Sequence, residues 1–237
     1  MTGMIITGMA AMDTPTITDD KLLRLFAWMS PAFPTGGFAY SHGLEWAVEK
    51  GFVRDLDSLV DWMRDVIAFG SGWTDCVLLR QAWRCEDAVA LDAVAELAAA
   101  LAPSRERFEE TIAQGGAFAR AIAVWGVLPA AIGIDDARAM ALPVVIGASL
   151  RVGGIDEDRA CLAALQGFVA NLVSAAVRLI PLGQTDGLRA IAALEEPILS
   201  TTARSSGATL DDVGGFSFNA DLASLHHETQ ETRLFRT

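Results

Sequence analysis

Few side chains in this chain of 237 residues are equipped for chemistry, and their spacing narrows what they can do. The histidines are His42, His226 and His227. Imidazoles at 226 and 227, followed by Glu228, are donors that suit nickel, zinc or copper. Adjacent residues on a helix diverge by about 100°, so the pair chelates poorly on its own. No second histidine follows one turn after His227-Glu228, so no H-E-x-x-H zinc motif is formed. The pair reads as ordinary surface histidines, unless a second copy of the chain supplies further donors. Ser41 and His42 are sequence neighbours, which does not place a hydroxyl on an imidazole, and no G-x-S-x-G elbow occurs. Cys76, Cys85 and Cys161 are odd in number and form no C-x-x-C, which argues against a disulfide framework or a zinc ribbon. They read as buried free thiols. Asp75 beside Cys76 would raise that thiol's pKa, the wrong direction for a nucleophile. Glu109-Glu110 and Glu195-Glu196 read as solvated faces. These residues assemble no catalytic, cofactor or metal site.

Two stretches place polar groups where they need partners. Asn171 to Gly187 begins as apolar as a core helix. It carries Arg178 just before the stop Pro181-Leu182-Gly183-Gln184-Thr185-Asp186-Gly187. An arginine within an apolar run needs a partner or a route to water. We expect Arg178 to pair with an acidic group or with carbonyls near Gln184, Thr185 and Asp186, fixing the turn. The other stretch is Arg233-Leu234-Phe235-Arg236-Thr237, whose two apolar side chains are costly to expose. They either fold back on the core or dock on a partner.

Composition sets the bounds. Hydrophobic residues make up 52% of the chain and the net charge is −12. An acidic surface repels phosphates, so neither nucleic acid nor an anionic membrane is expected as a partner. Only Lys21 and Lys50 are lysines, and no G-x-x-x-x-G-K-[ST] loop is present, so nucleotide chemistry would have to come from elsewhere. The first twelve residues lack a positive region like that of a secretory leader, which points to the cytoplasm. Ala160 to Val177 is uncharged and near the lower length for a membrane span. Its Gln166, Asn171 and Ser174, and its many alanines, read instead as the central helix of a soluble bundle.

Period-3.6 patterns and caps then order the elements. Residues 1–16 are expected to be a disordered amino-terminal segment, 17–205 a helical core domain, and 206–237 a loop and docking tail of the same domain. Thr18 caps a first helix with Leu22, Leu25, Phe26 and Met29 inward. Ser30 to Gly37 breaks it, and the run Phe38 to Glu45 starts a second helix. Asp55 or Asp57 caps a third, Thr74-Asp75 opens a fourth, Asp87 a fifth and Ser104 a sixth, where Gly115-Gly116 implies a kink or close packing. Asp135-Asp136 restarts a helix with Pro143 near its middle. Asp156 caps the long apolar helix. Thr185 or Asp186 caps the next, and Thr201 to Gly215 reads as a polar loop. No segment alternates with period two. The fold expected is all-α, a single-domain bundle of about nine or ten helices.

Three blocks carry a family pattern: Ser30 to Glu45 (SPAFPTGGFAYSHGLE), Ser174 to Gly187 (SAAVRLIPLGQTDG) and Ala220 to Thr237 (ADLASLHHETQETRLFRT). In these the chain resembles the UreF family of urease accessory proteins. The resemblance implies an all-α, non-catalytic protein without cofactor that forms a homodimer. It implies that the chain joins UreD (also called UreH) and the GTPase UreG on apo-urease and assists nickel insertion. It assigns partner binding to Pro34, Gly36, Gly37, Phe38, Tyr40, Ser41, Gly43 and Glu45, and to His227, Glu228, Thr229, Arg233, Leu234 and Phe235, with Leu234 and Phe235 as apolar anchors. It assigns Arg178, Pro181, Gly183, Gln184, Thr185 and Asp186 to a structural turn. The chain departs from the pattern at His42, Leu188, His226 and Glu231, where glutamine, glutamine, arginine and an aromatic residue are frequent. Two other readings stay open: a metal-dependent helical enzyme using His226 and His227, and a helical adaptor outside urease maturation.

Overall fold

The computed structural model describes residues 17–132 and 140–237. The expected disordered segment 1–16 and the restart at Asp135-Asp136 lie outside the described residues. Among those described, the chain is helical with no strand. The α-helices are α1 (Asp19–Trp28), α2 (Leu44–Glu49), α3 (Leu56–Ala68), α4 (Ser71–Arg84), α5 (Ala88–Ala100) and α6 (Arg105–Ile122). They continue with α7 (Leu142–Val152), α8 (Glu157–Leu179), α9 (Gln184–Ala193), α10 (Glu195–Ser205) and α11 (Phe218–His227). The all-α reading stands, with α9 and α10 separated only by Leu194.

Side-chain caps explain four of the helix starts, whereas Thr18 precedes α1 without a side-chain capping bond. Asp55, Asp87, Ser104 and Asp156 each accept a hydrogen bond from the backbone N–H three residues on, satisfying a donor that the first turn would otherwise leave open. Other boundaries move. The second helix begins at Leu44, because His42 (φ +56°) and Gly43 (φ +76°) hold the left-handed conformation. The fourth begins at Ser71, so Asp75 sits within it. Pro143 lies in the first turn of α7 rather than mid-helix, where its missing N–H costs nothing. The helix after the stop starts at Gln184, and α10 runs to Ser205, into the stretch expected to be loop. In α1 the buried residues are Leu25 and Trp28, while Phe26 is 65% exposed.

The core is built around α8, which packs against α2, α3, α4, α7, α9 and α10. By length and composition α8 could cross a membrane. Here its Leu165, Val169, Leu172, Val173 and Ala176 are buried in the bundle. The most extensive helix–helix contact is that of α4 with α7. A Cβ on Gly147 would lie 2.1 Å from the Leu79 carbonyl oxygen. Gly115 likewise faces the Met140 carbonyl, at 2.0 Å from an added Cβ, so Gly115-Gly116 serves close packing and α6 runs through it unbroken. Buried Arg80 ties α4 to α8 and α10: it donates to Glu157 at 2.7 Å, the Ser205 hydroxyl at 2.9 Å and the Thr202 carbonyl at 2.9 Å.

Candidate functional site

The short helix α2 puts Glu45 in its first turn, facing the chain's last residues. The Glu45 carboxylate accepts the Leu234 N–H at 2.7 Å and the Phe235 N–H at 2.9 Å. On the other side it meets His227 Nε2 at 3.3 Å. His227 closes α11 and is fully buried. Its Nδ1 lies 2.7 Å from Glu106 of α6, whose second oxygen accepts from Arg233 at 2.5 Å. Both ring nitrogens of His227 thus face carboxylates, which corrects its reading as a surface histidine. His226 instead stacks on Trp46, with ring centroids 4.7 Å apart. The two imidazoles therefore point into different contacts and share no ligand position. Among the described residues no cluster of three or more His, Cys, Asp or Glu side chains is arranged to hold a metal ion. Glu228 accepts the Arg105 N–H at 2.7 Å at the start of α6, and the Thr229 hydroxyl donates to the His226 carbonyl at 3.1 Å.

The amino-terminal block meets the same tail. The Arg236 N–H donates to the Ala39 carbonyl at 2.9 Å, and the Ser41 N–H donates to the Thr237 carbonyl at 2.9 Å, as does the Ser41 hydroxyl. Tyr40 is buried, and Gly43 backs onto α11 so closely that a Cβ would sit 2.5 Å from the Ser224 nitrogen. Pro34 is exposed, Gly36 holds a left-handed turn at φ +76°, and the Gly37 carbonyl accepts from Asn171 at 2.9 Å.

Arg178 completes the arrangement, though not as expected. It makes no bond to Gln184, Thr185 or Asp186. Its Nε donates to the Ser174 carbonyl at 3.1 Å and its Nη2 to the Phe38 carbonyl at 2.9 Å. Its guanidinium lies over the Phe235 ring, 4.5 Å from the centroid. The turn is held instead by Asp186, which accepts from Arg189 at 2.9 Å and from the Gly183 N–H at 3.4 Å, while Pro181, Gln184 and Thr185 are exposed. Arg178 therefore joins the long helix to both the amino-terminal block and the tail. Phe235, expected as an anchor, is 5% exposed and forms the platform beneath Arg178, whereas Leu234 is 77% and Phe38 67% exposed.

Beneath the tail lies a polar cluster that sequence reasoning missed. Glu110 of α6, read as a solvated carboxylate, is 1% exposed. It accepts from Arg107, from Gln114 at 2.8 Å and from the Thr237 hydroxyl at 2.9 Å, and lies 2.7 Å from His42 Nε2. Burial alone would raise its pKa; Arg107 and His42 outweigh it and hold the carboxyl at about 2. Burial and the neighbouring Arg107 push the His42 pKa down, against the pull of Glu110. The cluster borders a cavity of about 140 Å³, whose wall also includes Asp75, Phe118, Phe168 and Asn171. Burial pushes Asp75 up to about 6, with Arg107 opposing and Glu110 adding to the rise. The spacing Arg107, Glu110, Gln114 marks one face of α6, but nothing nearby in sequence indicates that this face turns inward.

A family model described as UreF matches residues 53–195. A urease accessory protein UreF of Cereibacter sphaeroides is 49% identical over 216 residues, covering 91% of this chain and 98% of the relative. One of Mesorhizobium japonicum is 48% identical over 217 residues, covering 91% and 96%. One of a Bradyrhizobium species is 49% identical over 224 residues, covering 91% and 92%.

Proposed function

This chain belongs to the UreF family of urease accessory proteins, and from that premise we propose that it is a non-catalytic bridging and regulatory subunit in urease maturation. In this role it acts in the cytoplasm as a homodimer. It joins UreD/UreH and the GTPase UreG on apo-urease and assists nickel insertion. Nickel is cargo here, and the nucleotide chemistry belongs to the GTPase.

One observation carries the reading most directly. Three blocks far apart in sequence converge on one surface, where Arg178 touches both the Phe38 carbonyl and the Phe235 ring while Phe38 and Leu234 turn outward. Exposed apolar side chains held on a rigid, hydrogen-bonded base suit the hot spot of a protein interface. We assign the contact with UreD/UreH to Phe38 and Leu234, with Pro34, Gly36, Gly37, Thr229 and Arg233 around them. Tyr40, Ser41, Gly43, Glu45, His227, Glu228 and Phe235 hold that surface in shape.

The test is capture of UreD/UreH by the full-length protein carrying Phe38→Ala and Leu234→Ala. Binding should weaken by about tenfold or more, with the melting temperature close to the parent's. Undiminished capture would overturn the assignment. In a reconstituted mixture, omission of the chain should lower urease activation and alter nucleotide turnover by UreG; no effect on either would overturn the regulatory role.

A further inference from the structure

The cavity beside the tail takes no part in docking, yet one stretch of its wall is organised around oxygen. Gln114 and Asn171 both use their amide nitrogens: Gln114 Nε2 donates to Glu110 at 2.8 Å and Asn171 Nδ2 to the Gly37 carbonyl at 2.9 Å. These bonds fix the two amides and leave their oxygens free, since neither oxygen accepts a hydrogen bond among the described residues. The free oxygens converge. The point that a Cβ on Gly37 would occupy lies 3.3 Å from Gln114 Oε1, 3.5 Å from Thr35 Oγ1 and 3.7 Å from Asn171 Oδ1. Thr35 Oγ1 accepts only the Gly37 N–H, at 3.4 Å, and keeps its second lone pair. All four residues line the cavity. Gln114 is 7% exposed, so its free acceptor is cut off from bulk solvent and calls for a donor inside the cavity.

We propose that this cavity binds a primary organic ammonium ion, its head group donating to Thr35, Gln114 and Asn171 and its hydrocarbon body seated against Phe118, Leu165 and Phe168. A primary ammonium carries three N–H donors on one nitrogen, which matches three oxygens gathered about one point. The charges agree with the geometry. Arg107 answers the carboxylate of Glu110. Asp75, in the same wall, has no hydrogen bond or ion pair among the described residues. A buried carboxylate without a partner is costly, and one unanswered negative charge is balanced by one positive charge. With its pKa at about 6, Asp75 is ionised at neutral pH and supplies that charge. Among the described residues no cluster of His, Cys, Asp or Glu is arranged to hold a metal, so a divalent ion is not the match.

The cavity also sets the size of the body. It holds about 140 Å³. An apolar cavity of about 150 Å³ accepts one benzene ring, so the hydrocarbon part is about six carbons. Phe118 and Leu165 are buried and, with Phe168, give that body an apolar wall. The exposed Pro31 and Phe38 border the same space and mark the way in. The site is made of this chain's own side chains and does not depend on the docking role.

The experiment titrates the full-length protein with cyclohexylammonium chloride at pH 7.5 and constant ionic strength, read by calorimetry and by thermal melts. Cyclohexanol, ammonium chloride and nickel chloride are titrated beside it. The organic cation should bind saturably at one site per chain and raise the melting temperature, with each of the other three about tenfold or more weaker. Asp75→Asn removes the countercharge, and Gly37→Ala places a methyl group among the three oxygens. Each should weaken cyclohexylammonium binding by about tenfold or more. No saturable binding of the cation would overturn the proposal. So would cyclohexanol binding as tightly, which makes the cavity a merely apolar hole, or ammonium or nickel binding as tightly, which makes it an inorganic cation site. Parental affinity in both variants would overturn the assigned residues. The parent protein alone decides whether the site exists, so a poorly folding variant leaves that result intact.

Discussion

Glu45 shows how much one carboxylate can hold. It takes two backbone N–H groups from the tail and faces a buried imidazole, so the tail's position rests on its charge. Hydrogen bonds to a charged acceptor are stronger than neutral ones, about 1.5–3 kcal/mol each. Glu45→Gln keeps the shape but loses the charge. We expect it to destabilise the protein by about 2 kcal/mol and to speed amide exchange at Leu234 and Phe235 more than about tenfold by hydrogen–deuterium exchange. Glu49→Gln, on the exposed partner of Lys50, should leave both unchanged. None of this could be read from the sequence around Glu45, because its partners lie 182 to 190 residues away. The same distance hid Glu110, whose neighbours His42 and Thr237 come from opposite ends of the chain.

Between elements, small residues set how closely helices approach. Gly147 lets α7 press its backbone onto Leu79 of α4. Gly147→Ala should force these helices apart and cost about 3 kcal/mol, read as a melting temperature lower by roughly 6–10 °C. Gly207, with open space around its Cβ position, should accept alanine at a change within about 0.5–1 kcal/mol. Helix starts were largely legible, because a cap such as Asp87 or Ser104 acts within three residues. Helix faces were less so. Over ten residues of α1, a stripe through Phe26 and one through Trp28 fit the period equally, and only the packing of α1 decides for Trp28. Its charge within an apolar run marks Arg178 in the sequence, but not its partners: the carbonyls at the turn are nearer along the chain, and the distant Phe38 carbonyl is the one it finds.

For the whole molecule, two carboxylates beside one cavity respond oppositely to acid. Glu110 has its pKa depressed from 4.5 to about 2, so its contribution is present above about pH 4.5 and is lost as pH falls through 2. Asp75 is raised from 3.8 to about 6, so the folded state binds its proton more tightly. Its contribution is full below about pH 3.8, declines as pH rises through 6, and is gone at neutral pH. Asp75→Asn should therefore raise stability at pH 7.5 by on the order of 2 kcal/mol, about 5 °C in melting temperature. The gain should vanish below about pH 4, where the parent carboxyl is already neutral. A pH series of thermal melts on both proteins measures this directly.

The seating of residues 234–237 against residues 39–45 also has a consequence in time. Contacts spanning some 190 residues close a loop of most of the chain, and such contacts form late because their entropy cost precedes their reward. The α4–α7 and α6–α7 packing is more local and can be in place before the tail arrives. Leu234 is then presented in its final setting only once α2, α6, α8 and α11 have all reached their places. The outermost side chain of the patch thus reports on the completeness of the whole bundle, and under the proposed docking role a partner that grips it selects for chains that have finished folding.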